Sequence, residues 1–332
     1  MHWTMTSFND GTEAWLPDIA KMVRERLTKT SKLKSSKHSA TAMGESILRQ
    51  LSEQRTSTGS LRLSSSGGCE RALAYTYHHY VENGYPIDAS SKIAFTIGDV
   101  TEAFIVSAIA EAFENESRAH RPALMFIGAE QEEVSLQVPI EDGRVANVPG
   151  HPDGSMAIPI KKTHSESNEP PEWGSAILEV KSMSDYAFKK FRKSGLDPSD
   201  SYYKQVQSYM ASKGYGYTYL IAYGKATTAK EAVIDDDGNW WPAFPIVGQW
   251  IKYDEAAVQA IKDKFRRVIL SKSPEDIERP YGPDKKGRLS FPCDYCRYWK
   301  TCFPGGEERA EESRWLQKTN KIKIYIMEND DA

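Results

Sequence analysis

Four cysteines are the feature that most constrains the fold of this chain of 332 residues. Cys69 stands alone near the front, whereas Cys293, Cys296 and Cys302 follow one another in the spacing C-x2-C-x5-C. A disulfide scaffold is typical of shorter, more cysteine-dense secreted chains, and three thiols so close in sequence do not all pair with one another. Four thiolates can instead complete a tetrahedral zinc site or hold an iron–sulfur cluster. Either group would bring the two ends of the protein together.

The composition is that of a globular protein in a reducing compartment. A chain of this length buries about three quarters of the surface that its unfolded form exposes, so the cysteines need a reason other than bare stability. No apolar run approaches the ~20 residues of a membrane span, and no basic-then-apolar leader stands at the N-terminus. We therefore expect a cytoplasmic protein with no membrane partner.

The basic residues are clustered, although the formal net charge is only −3. One basic run extends from Lys21 to Lys37, and a second consists of Lys189, Lys190, Arg192 and Lys193. Such runs are typical of a solvated helix face or a mobile arm. The alternative is a surface that follows a phosphate backbone, which depends on clustering and not on overall charge.

The order of apolar patterns predicts an α/β fold, with a sheet flanked by helices. Helical periodicity predicts helices over 98–113 (beginning at Asp99), 202–213 and 255–270, the last capped by Asp254. Alternating or continuous apolar runs predict strands over 133–138, 145–158 with an interruption, 176–181, 217–223 and 247–253. We expect helices and loops in residues 1–60 and a surface insertion over 159–174.

Charged residues within these elements indicate a site. Glu179 and Lys181 are two apart on a predicted strand, so they share one face of the sheet. Asp153 ends the preceding strand and Glu102 lies early in the first helix. Each residue also has a purely structural explanation. Glu179 and Lys181 can form an ion pair, Asp153 can belong to a Pro-Asp-Gly turn, and Glu102 can form a capping box with Asp99. Together they supply carboxylates for Mg²⁺ or Mn²⁺ and a lysine, as hydrolysis of a phosphodiester requires.

In their order, these residues resemble the motifs of the PD-(D/E)XK nuclease superfamily. Gly98-Asp-Val-Thr-Glu102 looks like the first-helix motif, although many relatives have histidine in place of Glu102. Asp153 in Gly-His-Pro-Asp-Gly is similar to the second motif, and Glu179-Val180-Lys181 is similar to the third. The helix segment Gln205-Val-Gln-Ser-Tyr209 resembles the Q-x-x-x-Y signature of the RecB-type branch.

The cysteines match the iron–sulfur members of that branch, which include CRISPR-adaptation exonucleases, AddB-type helicase–nuclease subunits and phage proteins. Cys69 looks like their lone first ligand, and Cys293, Cys296 and Cys302 look like the remaining three. One cysteine plus a triplet differs from the two-knuckle pattern of a zinc ribbon. The resemblance therefore favours a [4Fe–4S] cluster over zinc.

The resemblance implies a restriction-endonuclease-like core with a mixed central sheet, its N- and C-terminal segments joined at the four cysteines. It implies three parts: a polar, basic segment over 1–60, a nuclease domain over 61–304 and a charged tail over 305–332. The implied activity is that of a metal-dependent DNA exonuclease in DNA processing, recombination or repair. Asp153, Glu179, the Val180 carbonyl and Glu102 would hold Mg²⁺ or Mn²⁺, and Lys181 would orient the attacking water.

In the same template Gln205 and Tyr209 would steady Lys181 and the scissile phosphate, while the basic runs would guide single- or double-stranded DNA ends. The chain has no G-x4-G-K-(S/T) phosphate loop, so any unwinding would need a helicase or recombination partner. Two alternatives stay open at this point. One is a structure-specific endonuclease, and the other is a non-catalytic nucleic-acid-binding module with a zinc site.

Overall fold

The structure is a computed structural model, and it describes residues 3–29, 41, 44, 48, 60–82, 89–119, 125–128, 132–160, 172–225, 232–234, 240–242, 245–282, 289 and 291–304. The chain forms two compact units. Unit 1 consists of Met1–Gly67 and Asp88–Asp263, and unit 2 consists of Gly68–Ile87 and Lys264–Ala332. Unit 2 is therefore assembled from two segments that are far apart in sequence.

The described elements alternate between strands and helices along most of the chain. The strands are β1 Trp3–Ser7, β2 Glu13–Pro17, β3 Met125–Gly128, β4 Val134–Pro139, β5 Val145–Gly150, β6 Gly154–Ile160, β7 Glu172–Met183, β8 Tyr217–Gly224, β9 Ala232–Ile234, β10 Trp240–Pro242 and β11 Ile246–Lys252. The helices are α1 Ile19–Lys29, α2 Glu70–Tyr77, α3 Ala89–Ala119, α4 Asp185–Ser194, α5 Ser201–Lys213, α6 Glu255–Leu270 and α7 Trp299–Cys302.

A mixed sheet of five described strands forms the centre of unit 1, in the order β11-β8-β7-β6-β3. Strands β7 and β8 are parallel, and the other neighbours are antiparallel. A parallel pair requires a crossover, which α4 and α5 supply between β7 and β8. The predicted α/β fold with a mixed sheet flanked by helices is confirmed.

Strand β7 lies in the middle of the sheet because its apolar residues can be covered on both faces. Leu178 and Val180 belong to a buried cluster that also contains Ile19 of α1 and Ile105 of α3. Side chains alternate along a strand, so Glu179 points to the opposite face, where α5 contacts β7. One strand thus places an apolar row under one set of helices and charged side chains under another.

Strand β6 begins five residues too late to pair with the whole of β7. Its first residue, Gly154, lies opposite Leu178, so the part of β7 from Glu179 to Met183 has no partner strand on the β6 side in the described chain. On its other side β7 continues to pair with β8 as far as Met183. The sheet therefore has a step at this point, next to Asp153.

The expectation of helices and loops over 1–60 is wrong for residues 3–17, which form the β1–β2 hairpin. The turn contains Gly11 with φ +76°, a left-handed conformation that glycine adopts without strain. Helix α1 follows directly, and its Ile19 and Val23 are fully buried. Most of residues 30–59 lie outside the described residues.

Two other predicted boundaries are wrong. Helix α3 begins at Ala89 and not at Asp99, so Asp99 lies inside the helix and a capping box with Glu102 is excluded. The expected insertion over 159–174 is shorter, because Pro159 pairs with Trp173 and Ile160 pairs with Glu172 at the ends of β6 and β7. Residues 161–171 lie outside the described residues.

In unit 2, helix α2 and the C-terminal segment share a small core. Tyr75 stacks on Tyr298 with ring centroids 5.4 Å apart, and Trp299 is almost fully buried. A hydrogen bond of 2.8 Å from Arg71 Nη1 to the Ile277 carbonyl joins the two segments. As predicted by its capping residue, α6 begins after Asp254, whose Oδ1 accepts a hydrogen bond of 3.1 Å from Ala257 N.

None of the helices in the described parts of the chain is long and apolar enough to span a bilayer.

Candidate functional site

The predicted acidic residues and the lysine come together at the step in the sheet of unit 1. We call this group the carboxylate site, and its members are Glu102, Asp153, Glu179, Lys181, Gln205 and Tyr209. Asp153, Glu179 and Gln205 are buried and polar. Buried charged groups cost solvation free energy unless they are paired or bind an ion, so this group requires a physical explanation.

Asp153 is more than a turn residue, because its side chain replaces the missing strand partner. Its Oδ2 accepts a hydrogen bond of 2.7 Å from Val180 N, on the side of β7 where β6 has not yet begun. The N–H and C=O of one strand residue face the same neighbour. The Val180 carbonyl therefore points to the side on which the Asp153 carboxylate lies, as its predicted role as a ligand requires.

Glu179 is fully buried and only one of its oxygens is paired in the part of the chain that the structure describes. Its Oε1 accepts from Lys181 Nζ and, at 3.0 Å, from Gln205 Nε2. Its Oε2 is buried and accepts no hydrogen bond there. An unsatisfied buried carboxylate oxygen is costly, and binding a cation is one way to satisfy it.

Glu102 reaches the site from α3, which lies close to the end of β7. A Cβ at Gly98 would lie 3.7 Å from the Cβ of Ser182, and Glu102 follows one helical turn later. The Glu102 carboxyl hydrogen-bonds to that of Asp153. Two carboxyl groups in contact are stable when they share a proton or a cation.

Burial and crowding change the protonation of the whole group. Burial and the neighbouring Asp153 raise the pKa of Glu102 to about 9 and that of Glu179 to about 8. Burial also raises the pKa of Asp153, against the opposing effect of Lys181. Burial alone would lower the pKa of Lys181, but Glu179 and Asp153 outweigh it, so the pKa is raised and the ammonium is retained.

Helix α5 supplies the polar residues on the other side of Glu179. Gln205 Nε2 also donates to the Tyr209 hydroxyl at 3.0 Å, so the two residues share one helix face, as their spacing predicts. Sequence reasoning missed Tyr202, whose ring lies 5.6 Å from Lys181 Nζ, within the range of a cation–π contact. The signal for Tyr202 was its spacing, because a residue three positions before Gln205 lies near the same face of the helix.

The donor set fits a hard divalent cation in its chemistry. Carboxylate and carbonyl oxygens are the preferred ligands of Mg²⁺ and Mn²⁺, and Glu179 Oε2 is an oxygen without a hydrogen-bond donor among the described residues. As the side chains stand, no three His, Cys, Asp or Glu residues of the described chain are grouped so as to hold a metal ion. Because the pKa values of Glu102 and Glu179 are raised, an ion bound here would compete with protons for the same oxygens.

The second basic run forms an exposed face of α4, directly after β7. Lys189 pairs with Asp185 at 2.6 Å and Lys190 pairs with Asp200 at 3.4 Å, both at the surface. Arg192 and Lys193 are exposed as well. The contact of these residues with DNA stays a prediction, and so does that of the first run, of which residues 30–37 lie outside the described chain.

All four cysteines belong to unit 2 and line one cavity of about 160 Å³, which we call the cysteine cavity. Aromatic and basic side chains complete its wall, namely Tyr75, Tyr281, Trp299, Phe303, Arg71 and Arg279. None of the four thiols is in a disulfide, and each is half-buried. Burial raises the pKa of Cys296 and of Cys302, so metal ligation here would release protons.

No protein-family model matches the chain, and no curated protein was found to match it. Among solved structures, the protein named SSO0001 is similar at 14% identity with a TM-score of 0.43, over 82% of this chain and 98% of that one.

Two exonucleases show weaker similarity. An alkaline exonuclease from Laribacter hongkongensis has 15% identity and a TM-score of 0.27, over 64% of this chain and 86% of its own. A phage-related exonuclease from Haemophilus somnus 129PT has 14% identity and a TM-score of 0.29, over 67% and 94%. We infer nothing about function from these similarities, because all three TM-scores are below 0.5.

Proposed function

We propose that this chain is a divalent-metal-dependent DNA nuclease that acts as an exonuclease in DNA processing, recombination or repair. One observation supports this most directly: buried Asp153 and Glu179 meet half-buried Lys181 at the step in the sheet, and a buried oxygen of Glu179 accepts no hydrogen bond from the described chain. A purely structural ion pair would explain Glu179 and Lys181 but neither the crowding by Asp153 and Glu102 nor the unpaired oxygen.

In the proposed mechanism, Asp153, Glu179, the Val180 carbonyl and Glu102 hold Mg²⁺ or Mn²⁺. When bound, such an ion lowers the pKa of water and offsets charge on the phosphate. Asp153 is held ready for this role by Val180 N, and Glu179 by Gln205 Nε2. Glu102 retains its proton near neutral pH, since its pKa is raised to about 9, and would have to give it up to serve as a ligand.

Lys181 positions the nucleophile in this proposal. An ammonium has three N–H donors, and Lys181 uses one on Glu179, which leaves donors for a water molecule and a phosphate oxygen. Water gives up a proton to the solvent as it attacks phosphorus and a new P–O bond forms, and the ester P–O bond to the leaving nucleotide breaks as that oxygen takes a proton from the solvent. Gln205 and Tyr209 fix Glu179, and through it Lys181, while the ring of Tyr202 limits where the ammonium can lie.

Lys189, Lys190, Arg192 and Lys193 would guide a single- or double-stranded DNA end, and a helicase or recombination protein would supply any unwinding. These side chains are exposed, as contact with a phosphate backbone requires. Salt weakens the electrostatic attraction in such contacts. A DNA affinity that decreases steeply as salt is added would support this role.

In unit 2 we propose that the cysteine cavity holds a [4Fe–4S] cluster through Cys69, Cys293, Cys296 and Cys302. A zinc site draws four sulfurs to about 2.3 Å from one small ion. The four cysteines instead surround a cavity of about 160 Å³ with basic residues in its wall, which suits a larger anionic group. Brown protein containing iron and sulfide would support the cluster, whereas colourless protein containing zinc would contradict it.

A nuclease assay on linear DNA with Mn²⁺ tests the catalytic proposal. We expect Lys181→Ala and Asp153→Ala to lose about 10²- to 10⁴-fold in rate, because each removes a group that acts in the transition state. Lys272→Ala, at an exposed lysine outside unit 1, is the matched control and should retain full activity. Equal degradation by all four proteins would refute the site, and no degradation by wild type would favour a binding module.

End-labelled linear DNA and closed circular DNA separate the two nuclease types. An exonuclease releases labelled nucleotides from the linear substrate and leaves the closed circle intact. Cutting of the circle would instead indicate a structure-specific endonuclease with the same carboxylate site.

A further inference from the structure

Arg71 in the wall of the cysteine cavity is a buried cation whose Nε–H is unpaired in the described chain. The residue lies two positions after Cys69, in the first turns of α2, and only 8% of its surface is exposed. Its Nε is buried and has no hydrogen-bond partner within the described chain. Burying an arginine is costly unless its charge and its N–H groups are compensated.

The other two nitrogens of the guanidinium are already engaged on one side. Nη1 donates to the Ile277 carbonyl at 2.8 Å, and Nη2 lies 3.6 Å from Glu275 Oε1. Glu275 is about half exposed, so water screens its charge and it compensates the buried cation only in part. These contacts engage Nη1 and Nη2, whereas Nε has no partner in the described chain.

The cavity contains the groups that would use this donor. All four cysteines share its wall with Arg71, and thiolates that ligate a metal cluster carry negative charge. Sulfur atoms of such clusters accept hydrogen bonds, and those bonds stabilise the more negative, reduced form. The unpaired N–H, the positive charge and the four thiols therefore complement one another.

We propose that Arg71 is the positioning residue for an anionic, thiolate-ligated iron–sulfur cluster in the cysteine cavity, to which its Nε donates a hydrogen bond. This inference rests on the cluster proposed above and concerns a residue that the cysteine pattern alone does not indicate. In this role Arg71 holds the cluster in place and raises its reduction potential. It also links the cluster to the 275–277 segment through its other nitrogens.

Arg279 provides an internal comparison. It lies in the same cavity wall and carries the same charge, but it is exposed, and its guanidinium lies 4.9 Å from the ring centroid of Phe303. Solvent screens an exposed charge much more than a buried one. The weaker screening of its charge and the hydrogen bond from Nε therefore both make Arg71 the stronger of the two.

The test uses the full chain, reconstituted anaerobically with iron and sulfide. Iron and sulfide content, the visible absorption spectrum, the reduction midpoint and the rate of cluster loss to a chelator are measured for wild type, Arg71→Met and Arg279→Met. We expect Arg71→Met to lose its cluster about 10-fold or more faster, as for other groups that support metal ligands. Its midpoint should shift to more negative potential, and Arg279→Met should change both quantities less.

Glu275→Gln separates a structural role from a positioning role. This change weakens the ion pair with Arg71 and the 3.2 Å contact with the Tyr75 hydroxyl without altering the cavity wall. We expect a lower melting temperature with an unchanged midpoint. If Arg71→Met does not fold, Arg71→Lys serves instead, because it keeps the charge but not the Nε donor, and its midpoint should lie below that of wild type.

The outcomes separate this inference from the proposal that it rests on. If wild type contains no iron, or contains zinc, both the proposed cluster and the proposed role of Arg71 are refuted. The role of Arg71 alone is refuted if wild type contains a cluster and the arginine variants have the same reduction midpoint and the same chelator resistance as wild type. A shift of the midpoint in Glu275→Gln as large as in Arg71→Met would also refute it, since packing alone would then explain the effect.

Discussion

The carboxylate site and the cysteine cavity both gather metal-binding groups, but the protein fixes their side chains to different degrees. In the carboxylate site Asp153, Glu179, Gln205 and Tyr209 are joined to one another or to the backbone by hydrogen bonds of 2.7–3.0 Å. The wall of the cysteine cavity contains four aromatic side chains, one of which, Tyr75, stacks on Tyr298. The first site is positioned by directional bonds and the second by apolar packing.

The supporting elements differ in the same way. Strand β7 and helix α5 are long and lie in the centre of unit 1. Three of the cysteines instead lie in or between very short elements. Cys293 begins a 3₁₀ turn of three residues, Cys293–Tyr295, and Cys302 ends α7, which has four residues. Cys296 lies between the two. Helices this short are unstable alone. The difference teaches that the carboxylate site is positioned by long elements of unit 1, whereas the cysteine cavity rests on short ones and would depend on ligation for its final form.

The largest effect is expected for Cys293→Ser. Ligation is part of the folding free energy of such sites, with values on the order of 10 kcal/mol for structural zinc. We expect the variant to lose its cluster and to lose protection from hydrogen exchange over 69–82 and 293–304, while β7 and α5 keep theirs. Asp153→Ala should do the reverse: it abolishes nuclease activity and leaves protection of unit 2 unchanged. Cys293→Ser protein with wild-type protection and metal content would contradict the comparison.

An intermediate effect is expected from the pH dependence of stability without divalent ions. Burial and the neighbouring Asp153 raise the pKa of Glu102 from the ordinary glutamate value of 4.5 to about 9 in the folded protein. The folded state therefore binds the proton more tightly, and stability decreases as pH rises from about 5 to about 9. Glu102→Gln removes the contribution of Glu102 to this dependence and should be more stable than wild type at pH 8 by on the order of 1 to 3 kcal/mol.

Urea unfolding in chelator, followed by tryptophan fluorescence at pH 5 and pH 8, measures this difference. Glu141→Gln, at an exposed position in unit 1, is the control and should follow wild type. Added Mn²⁺ should reduce the slope of unfolding free energy against pH for the wild type. A wild type whose stability increases between pH 5 and pH 8 in chelator would show that the carboxylates are not crowded.

The smallest effect is expected for Tyr209→Phe. The change removes the hydroxyl that accepts from Gln205 Nε2, but Gln205 keeps its bond to Glu179. We expect a loss of about 1 kcal/mol in the free energy of unfolding. Tyr253→Phe, which removes a hydroxyl that donates to exposed Glu255, should cost less. Equal costs would mean that the bonds of the carboxylate site contribute no more than surface bonds.

The central part of the fold was predictable because its signals are local. The apolar run 176–180 predicts a buried strand, and the period of two in a strand puts Glu179 and Lys181 on one face. The period of the helix does the same for Gln205 and Tyr209. The contact of Asp153 with Val180 N was not predictable, because it depends on where β6 begins.

Two errors have different physical origins. The β1–β2 hairpin had a signal, since Asp10-Gly11 between two alternating segments is typical of a tight turn. The early start of α3 had no signal in the sequence, because Ile93, Phe95 and Ile97 are exposed and show no amphipathic periodicity. The contribution of Arg71 was also hidden, because an unused N–H is visible only when the other contacts are known.

The discontinuity of unit 2 has a consequence during synthesis of the chain. Cys69 leaves the ribosome about 220 residues before Cys293. At about 5 to 20 residues per second, the first thiol waits about 10 to 45 s for the other three. Throughout that interval unit 1 can acquire its sheet, whereas no cluster can yet be delivered to four ligands. Delivery of the proposed cluster would therefore be a late event, and the early thiol would be the point at which an oxidant prevents it.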